Sequence, residues 1–177
     1  RATHVFAKVA RAEVARQFMA PAPDALLKTL IEAGDISEAK ADMARQVPVA
    51  ADITAEADSG GHTDNRAAGP LLSSLIQARR ETCELHRLNP DDIRIGLGGG
   101  IGTPWAAASA FQMGAAYIIT GSINQAAIES GLSLEGRKLL ADAGPADVAM
   151  APAADMFEQG VKVQVLKRGT LFAMRGN

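Results

Sequence analysis

Short apolar runs alternate with amphipathic helical segments along most of the chain, and this alternation limits the fold more than any other feature. We predict strands at residues 4–10, 47–57, 93–97 and 115–120, with helical segments between them. Strict alternation of strands and helices predicts parallel βα units. The strand segments are apolar along their length, which predicts that the sheet is buried on both faces. Residues 133–159 are rich in Ala and are predicted to be helical, with a further strand at 161–166.

Two architectures made of parallel βα units fit this order, a doubly wound sheet and a closed barrel. A (β/α)8 barrel needs roughly 200 residues or more, and this chain has 177 and begins at Arg1 rather than at Met. Four parallel strands with two open edges are also prone to aggregate. We therefore predict an α/β fold, the C-terminal half of a TIM-type (β/α)8 barrel whose first half is absent from this chain.

Composition excludes several classes of function. The net charge is −2 and no run of basic residues occurs, so binding to nucleic acid is not expected. No apolar stretch approaches the roughly 20 residues that span a bilayer, and we expect no membrane segment. The single cysteine, Cys83, cannot form an internal disulfide and is typical of a reducing, cytoplasmic setting.

Two glycine-bearing loops follow the third and fourth predicted strands. Glycine lets the backbone approach an anion closely, and successive N–H groups at a helix N-terminus attract negative charge. Adjacent βα loops of this kind share one phosphate in many barrels, whereas a tight turn without a ligand is the alternative. No acidic residue follows the next strand, which argues against a dinucleotide site. The predicted phosphate-binding residues are Gly98, Gly99, Gly100, Gly121 and Ser122.

The loop after the second strand carries a histidine behind two glycines, Gly60 and Gly61. His62 is flanked by polar residues, and its side chain is suited to proton transfer near neutral pH. We predict that His62 is catalytic and that the two glycines contribute to a cofactor site. A metal site is not expected, because Glu56 and Asp58 have no second His or Cys nearby; these two carboxylates are expected to orient the loop.

Lys8 interrupts the first apolar strand. Lysine is seldom buried without a partner. Two interpretations stay open, a contact with a cofactor or substrate and a solvated strand end, and we include Lys8 among the candidate cofactor-binding residues.

Four segments resemble a known family of enzymes: EADSGGHTDNR (56–66), GLGGGIGTP (96–104), AAYIITGSINQA (115–126) and ADVAMAPAADMFEQGVKVQVLKRGTLF (146–172). They are similar to the trans-acting enoyl reductases of polyunsaturated fatty-acid and polyketide synthases, within the nitronate monooxygenase superfamily of FMN barrels. The resemblance covers nearly the whole chain in the order of the C-terminal half of the barrel. Residues 20–47 resemble a helical insertion of that group.

The resemblance implies a cofactor, an electron donor and a partner. It implies that the two glycine loops hold the FMN phosphate, that His62 is the catalytic histidine and that NADPH is the electron donor. The implied substrate is an enoyl thioester on an acyl carrier protein, for which Lys162, Lys167 and Arg168 are a candidate docking patch. A homodimer is one candidate assembly.

The resemblance also sets the expected domain organisation and two alternatives. Residues 1–132 would form the second half of the FMN barrel, and residues 133–177 a helical segment on the substrate side with a strand-like end. The alternatives are a nitronate monooxygenase, which oxidises nitroalkanes with flavin, and a non-catalytic barrel subunit.

Overall fold

Four parallel strands form the main sheet. The computed structural model describes residues 5–57, 67–154 and 157–174. The strands are β1 (Phe6–Val9), β2 (Asp52–Glu56), β3 (Arg94–Gly98) and β4 (Ile118–Ile119), and they lie in the order in which they occur along the chain. All three pairings are parallel. The predicted parallel α/β arrangement is therefore confirmed for the part of the chain that the structure describes.

Helices connect the strands, and several of them pack against the sheet. Their bounds are α1 (Ala12–Met19), α2 (Asp24–Glu32), α3 (Glu38–Ala44), α4 (Ala68–His86), α5 (Pro104–Gln112), α6 (Ser122–Gln125) and α7 (Leu134–Ala141). The buried core lies between the sheet and the helices, and it includes Met19, Ile53, Leu72, Leu75 and Ile95. Cys83 belongs to this core, where burial raises the pKa of its thiol, so Cys83 is a packed residue rather than a reactive one.

The prediction that the sheet is buried on both faces is confirmed for β2 and most of β3, but the two faces differ in chemistry, so the prediction that the strands are apolar along their length was wrong. The face toward the helices carries residues such as Ala7, Ile53 and Leu97, all buried. The opposite face, which we call the polar face, receives every second side chain because neighbours along a strand point to opposite sides. The registers of the parallel pairs put the following residues on it: Phe6, Lys8, Asp52, Thr54, Glu56, Arg94, Gly96, Gly98, Tyr117 and Ile119.

The second strand is shorter than predicted. Residues 47–50 do not pair in the sheet but lie along the end of α1, where the N–H groups of Val49 and Ala50 donate to the carbonyl oxygens of Ala20 and Phe18. Ala51 contributes only its carbonyl oxygen, which accepts from the N–H of Arg94 on β3 at 2.8 Å. The strand begins only at Asp52. The apolar character of residues 47–50 therefore reflects packing near the end of α1 rather than sheet pairing.

The prediction of helix throughout residues 133–159 was also wrong. Helix α7 ends at Ala141, and Val148–Pro152 forms a strand, β5, that pairs antiparallel with β6 (Lys162–Leu166). The strand predicted at residues 161–166 is confirmed. Helix propensity is a weak prior that tertiary pairing overrides, and the β-branched residues of β6 gain a paired partner when the Ala-rich segment is extended.

No helix within the described ranges combines the length and apolar character that crossing a membrane requires.

Candidate functional site

The glycine-rich turn begins where β3 ends. Gly99 and Gly100 have φ angles of +96° and +68°, in the left-handed region that side-chain-bearing residues disfavour. A side-chain carbon on Gly99 would also overlap the carbonyl oxygen of Ala57. The turn therefore requires glycine at Gly99 for two separate reasons, backbone conformation and close approach to the end of β2.

The turn presents backbone donors to its surroundings. Among the described residues, the N–H groups of Gly100, Ile101 and Gly102 have no hydrogen-bond acceptor. The next helix, α5, starts immediately afterwards, and the side chain of Thr103 caps it by accepting from the N–H of Ala106 at 3.2 Å. Free N–H groups beside the positive end of a nine-residue helix are suited to binding an anion.

The second glycine loop lies against the first. Its strand pairs with β3, with Ile119 opposite Gly98. A side-chain carbon on Gly102 would lie 3.5 Å from Ile123 Cγ2, just beyond Gly121 and Ser122. Asn124 Nδ2 donates to the carbonyl oxygen of Thr120 at 3.0 Å and holds this loop closed. The structure thus brings the two loops together, as the sequence predicted; the binding of a phosphate between them stays a prediction.

Lys8 and Glu56 form an ion pair on the polar face. Lys8 Nζ lies 2.6 Å from Glu56 Oε1, and the two side chains are 47% and 15% exposed. Glu56 is the last residue of β2 and lies in register with Gly98 of β3. The ammonium group of Lys8, half-exposed, is therefore paired with a carboxylate beside the carboxyl ends of the strands. Its contact with a cofactor stays a prediction.

Three predicted site residues, Gly60, Gly61 and His62, lie outside the described residues. The chain on either side of them is described, and its ends, Ala57 and Ala67, line a cleft of about 470 Å³. Gly99 and Gly100 line the same cleft. The segment that carries His62 therefore leaves and re-enters the described structure beside the glycine-rich turn.

The polar face carries a side-chain network that was not predicted from the sequence. The Thr54 and Tyr117 hydroxyl oxygens are 2.8 Å apart, and Arg94 Nε and Nη2 donate to the two carboxylate oxygens of Asp52 at 2.7 and 2.8 Å. Phe6 lies 6.3 Å from the Tyr117 ring, measured between ring centroids. A polar residue at every second position of β2 was the signal that could have revealed this face.

We predict that Tyr117, the only tyrosine of the chain, titrates above its ordinary pKa. Burial raises the pKa of Tyr117 above 10.0, the ordinary value for tyrosine, and the hydrogen bond with Thr54 opposes that rise. The stabilising contribution of the neutral phenol is complete below pH 10, where the unfolded chain would titrate. It is lost as the pH rises through the folded pKa.

The near-ultraviolet absorbance of tyrosinate, followed against pH in the native and the denaturant-unfolded protein, measures both pKa values. A native transition at or below that of the unfolded chain would contradict the prediction.

No group of three or more His, Cys, Asp or Glu side chains that could hold a metal ion occurs within the described parts of the chain. Glu56, which the sequence placed near a candidate loop, is instead paired with Lys8.

Comparison with known proteins identifies similar sequences and a similar structure. No protein-family model matches the chain. It is 53% identical over 171 residues to a polyunsaturated fatty acid synthase polypeptide of Thraustochytrium sp., and 45% identical over 173 residues to the polyketide biosynthesis protein PksE of Bacillus subtilis. The crystal structure of the enoyl reductase domain of MlnA, from the macrolactin biosynthesis cluster of Bacillus amyloliquefaciens, is 42% identical with a TM-score of 0.89.

These matches cover almost all of this chain but only part of each relative. The matched region is 96% of the chain for the first relative and 98% for the second, but 8% and 22% of those proteins. The MlnA structure covers 99% of this chain, which corresponds to 39% of the MlnA chain. The chain therefore spans well under half of the length of the proteins that it matches.

Proposed function

We propose that this chain, which belongs to the family of enoyl reductase domains of polyunsaturated fatty acid and polyketide synthases, supplies the phosphate-binding half of an FMN-dependent enoyl reductase. The four-stranded sheet would form the C-terminal half of a (β/α)8 barrel, and the carboxyl ends of its strands would face the active site. The observation that carries the proposal is the proximity of two glycine loops at the carboxyl ends of neighbouring strands.

The residues of these loops fit a phosphate group. The N–H groups of Gly100, Ile101 and Gly102 are free to donate within the described structure. No atom of the described chain lies within 4 Å of the side-chain position of Gly100 or Gly121, so both loops leave room for a ligand. Charge-assisted bonds from backbone N–H groups to a phosphate are short and strong. We therefore assign the phosphate of FMN to residues 99–102 of the first loop and to Gly121 and Ser122 of the second.

The remaining candidate residues have separate tasks. Bound FMN would supply hydride transfer from NADPH to the β-carbon of an enoyl thioester. His62 stabilises the enolate that develops on the thioester during this transfer, or donates the proton that its α-carbon takes up to complete the saturated product. Lys8, paired with Glu56, presents a positive charge to the cofactor, and Gly60 and Gly61 remain candidate cofactor-binding residues because glycine permits close approach of a ligand to the backbone.

An assay with two substrates distinguishes this function from the other candidates. The native full-length protein, loaded with FMN, should reduce a crotonyl thioester under anaerobic conditions at the expense of NADPH. A nitronate monooxygenase would instead consume oxygen with a nitroalkane and leave the crotonyl thioester unchanged. A non-catalytic barrel subunit would act on neither substrate and would not take up FMN.

The proposed partner is an acyl carrier protein, which is usually acidic. Of the candidate docking residues, Arg168 is already engaged, with its Nε 3.3 Å from Asp147 Oδ1. Within residues 157–174 and the rest of the described chain, neither Lys162 nor Lys167 forms an ion pair, and both are exposed. We therefore restrict the docking patch to Lys162 and Lys167.

Reversal of charge at this patch should raise the KM for the carrier-bound substrate only. We expect the double variant Lys162→Glu/Lys167→Glu to raise the KM for an enoyl-carrier substrate about tenfold, because like charges oppose docking. The KM for a small crotonyl thioester should not change. The matched control is Lys28→Glu/Lys40→Glu on α2 and α3, both exposed. Equal effects on the two substrates, or an equal effect of the control, would contradict this docking site.

A further inference from the structure

Arg137, on helix α7, has a buried donor without an acceptor. Its Nε atom is shielded from solvent and makes no hydrogen bond. Within the described ranges, the half-buried guanidinium of Arg137 takes part in no ion pair either. A buried donor that stays unpaired costs free energy, and the cost is larger for a charged group. The Arg137 guanidinium therefore calls for an acceptor that the described chain does not supply.

Helix α7 contacts both parts of the chain that the proposed function uses. Leu139 Cδ2 lies 3.0 Å from the side-chain position of Gly169, in the turn after β6. Arg168, in the same turn, donates to the carbonyl oxygen of Asp142 at the end of α7. Helix α7 also packs against α6, which begins at Ser122 of the second glycine loop. It therefore lies between the proposed docking patch and the proposed cofactor site.

A phosphate group is the acceptor that best matches Arg137. Arginine presents its donors in a fixed planar fork, and two parallel N–H groups of the fork fit two oxygens of a phosphate. Both substrates of the proposed reaction carry phosphate esters. One is NADPH, and the other is the phosphopantetheine arm on which a carrier protein holds its acyl group.

We propose that Arg137 binds the phosphate ester of an incoming substrate, with the phosphopantetheine arm and NADPH as its two sources. This inference rests on the proposed enoyl reductase function and adds a substrate-binding residue outside the two glycine loops. An arm that enters from a carrier docked at Lys162 and Lys167 passes α7 before it reaches those loops. The buried Nε then gains the acceptor that it lacks.

Removing the guanidinium should weaken the binding of a phosphorylated substrate. In the native full-length protein, we expect Arg137→Met to raise the KM for crotonyl phosphopantetheine or for NADPH about tenfold, because a charge-assisted bond is lost. The KM for crotonyl pantetheine, which lacks the phosphate, should not change, and the compound whose KM rises identifies the source. Lys138→Met is the matched control, since Lys138 is an exposed cation on the same helix. It should leave all three constants unchanged.

The free energy of unfolding separates a binding role from a structural one. Denaturant unfolding of Arg137→Met should give the parent value or a higher one, because the variant loses an unsatisfied buried donor. Arg137→Lys keeps the charge without the planar fork and should recover only part of the affinity. A destabilised Arg137→Met with the KM values of the parent would overturn the proposal and assign the acceptor to the rest of the full-length protein.

Calorimetric titration tests the same site without turnover. We expect crotonyl phosphopantetheine or NADPH to bind Arg137→Met about tenfold more weakly than the parent. Equal affinities of the parent and the variant for both compounds would overturn the Arg137 site and leave the proposed function intact. A parent that binds these compounds but reduces no crotonyl thioester would overturn the proposed function alone. A parent that binds neither compound would overturn both.

Discussion

Replacing His62 with alanine is expected to leave FMN bound and to slow enoyl reduction by about 10²-fold or more, the usual contribution of a general acid–base group. The loop that carries His62 joins Ala57 to Ala67, and both of these residues line the cleft beside the glycine-rich turn. The ends of the segment that carries His62 thus lie beside the proposed phosphate site, while the phosphate-binding residues belong to other segments. Loss of the imidazole should affect the chemical step rather than cofactor affinity.

The measurements are the turnover of a crotonyl thioester and the FMN content after purification. His86→Ala provides the control, because His86 is an exposed residue in the last turn of α4. We expect this control to retain the parent turnover. Turnover of His62→Ala close to that of the parent would rule out the catalytic assignment, and loss of FMN from the variant would instead assign His62 to cofactor binding.

Replacing Gly99 with alanine is expected to destabilise the protein by about 3 kcal/mol or more and to abolish FMN retention. The left-handed backbone costs a side-chain-bearing residue roughly 1–2 kcal/mol, and forced overlap in a packed region costs about 1–3 kcal/mol more. Both costs apply at Gly99, because the added carbon would overlap the Ala57 carbonyl oxygen.

Gly100→Ala is the matched control for this prediction. Gly100 shares the left-handed conformation, but no atom of the described chain lies within 4 Å of its side-chain position. It should therefore lose only the conformational part, about 1–2 kcal/mol. Denaturant unfolding of the two variants measures the difference. Equal free energies of unfolding would show that the close approach to Ala57 adds nothing to the stability cost of Gly99→Ala.

The order of the strands and the position of the glycine turns were predictable because both are local properties. The apolar run at residues 93–97 and the glycines after it identify β3 and its turn without knowledge of the rest of the chain. Adjacent βα units in a parallel sheet then bring consecutive loops to one edge. The proximity of Gly102 to Ile123 follows from this rule.

The chemistry of the polar face depends on contacts that no local pattern specifies. Tyr117 and Thr54 are separated by 63 residues, and their hydrogen bond exists only because Gly96 lets the ring cross β3. The alternation of Asp52, Thr54 and Glu56 with apolar residues indicated that one face of this strand is polar and the other apolar. The segment is buried on both faces, as predicted, but the buried side chains of one face are polar.

The last third of the chain shows the limit of local propensity. Residues 148–152 contain helix-forming Ala and Met, yet they pair as β5 with β6. Pro145 and Gly144 separate this segment from α7 and prevent the helix from continuing. The pairing partner of each β5 residue lies ten or more residues further along the chain, so tertiary structure decides between helix and strand.

The central claim, that the paired glycine loops hold FMN, is tested most directly by the visible absorption spectrum of the native full-length protein. We predict flavin bands in the purified or FMN-supplemented protein, and bleaching of those bands when NADPH is added without oxygen. A folded protein that stays colourless after incubation with FMN would contradict the claim.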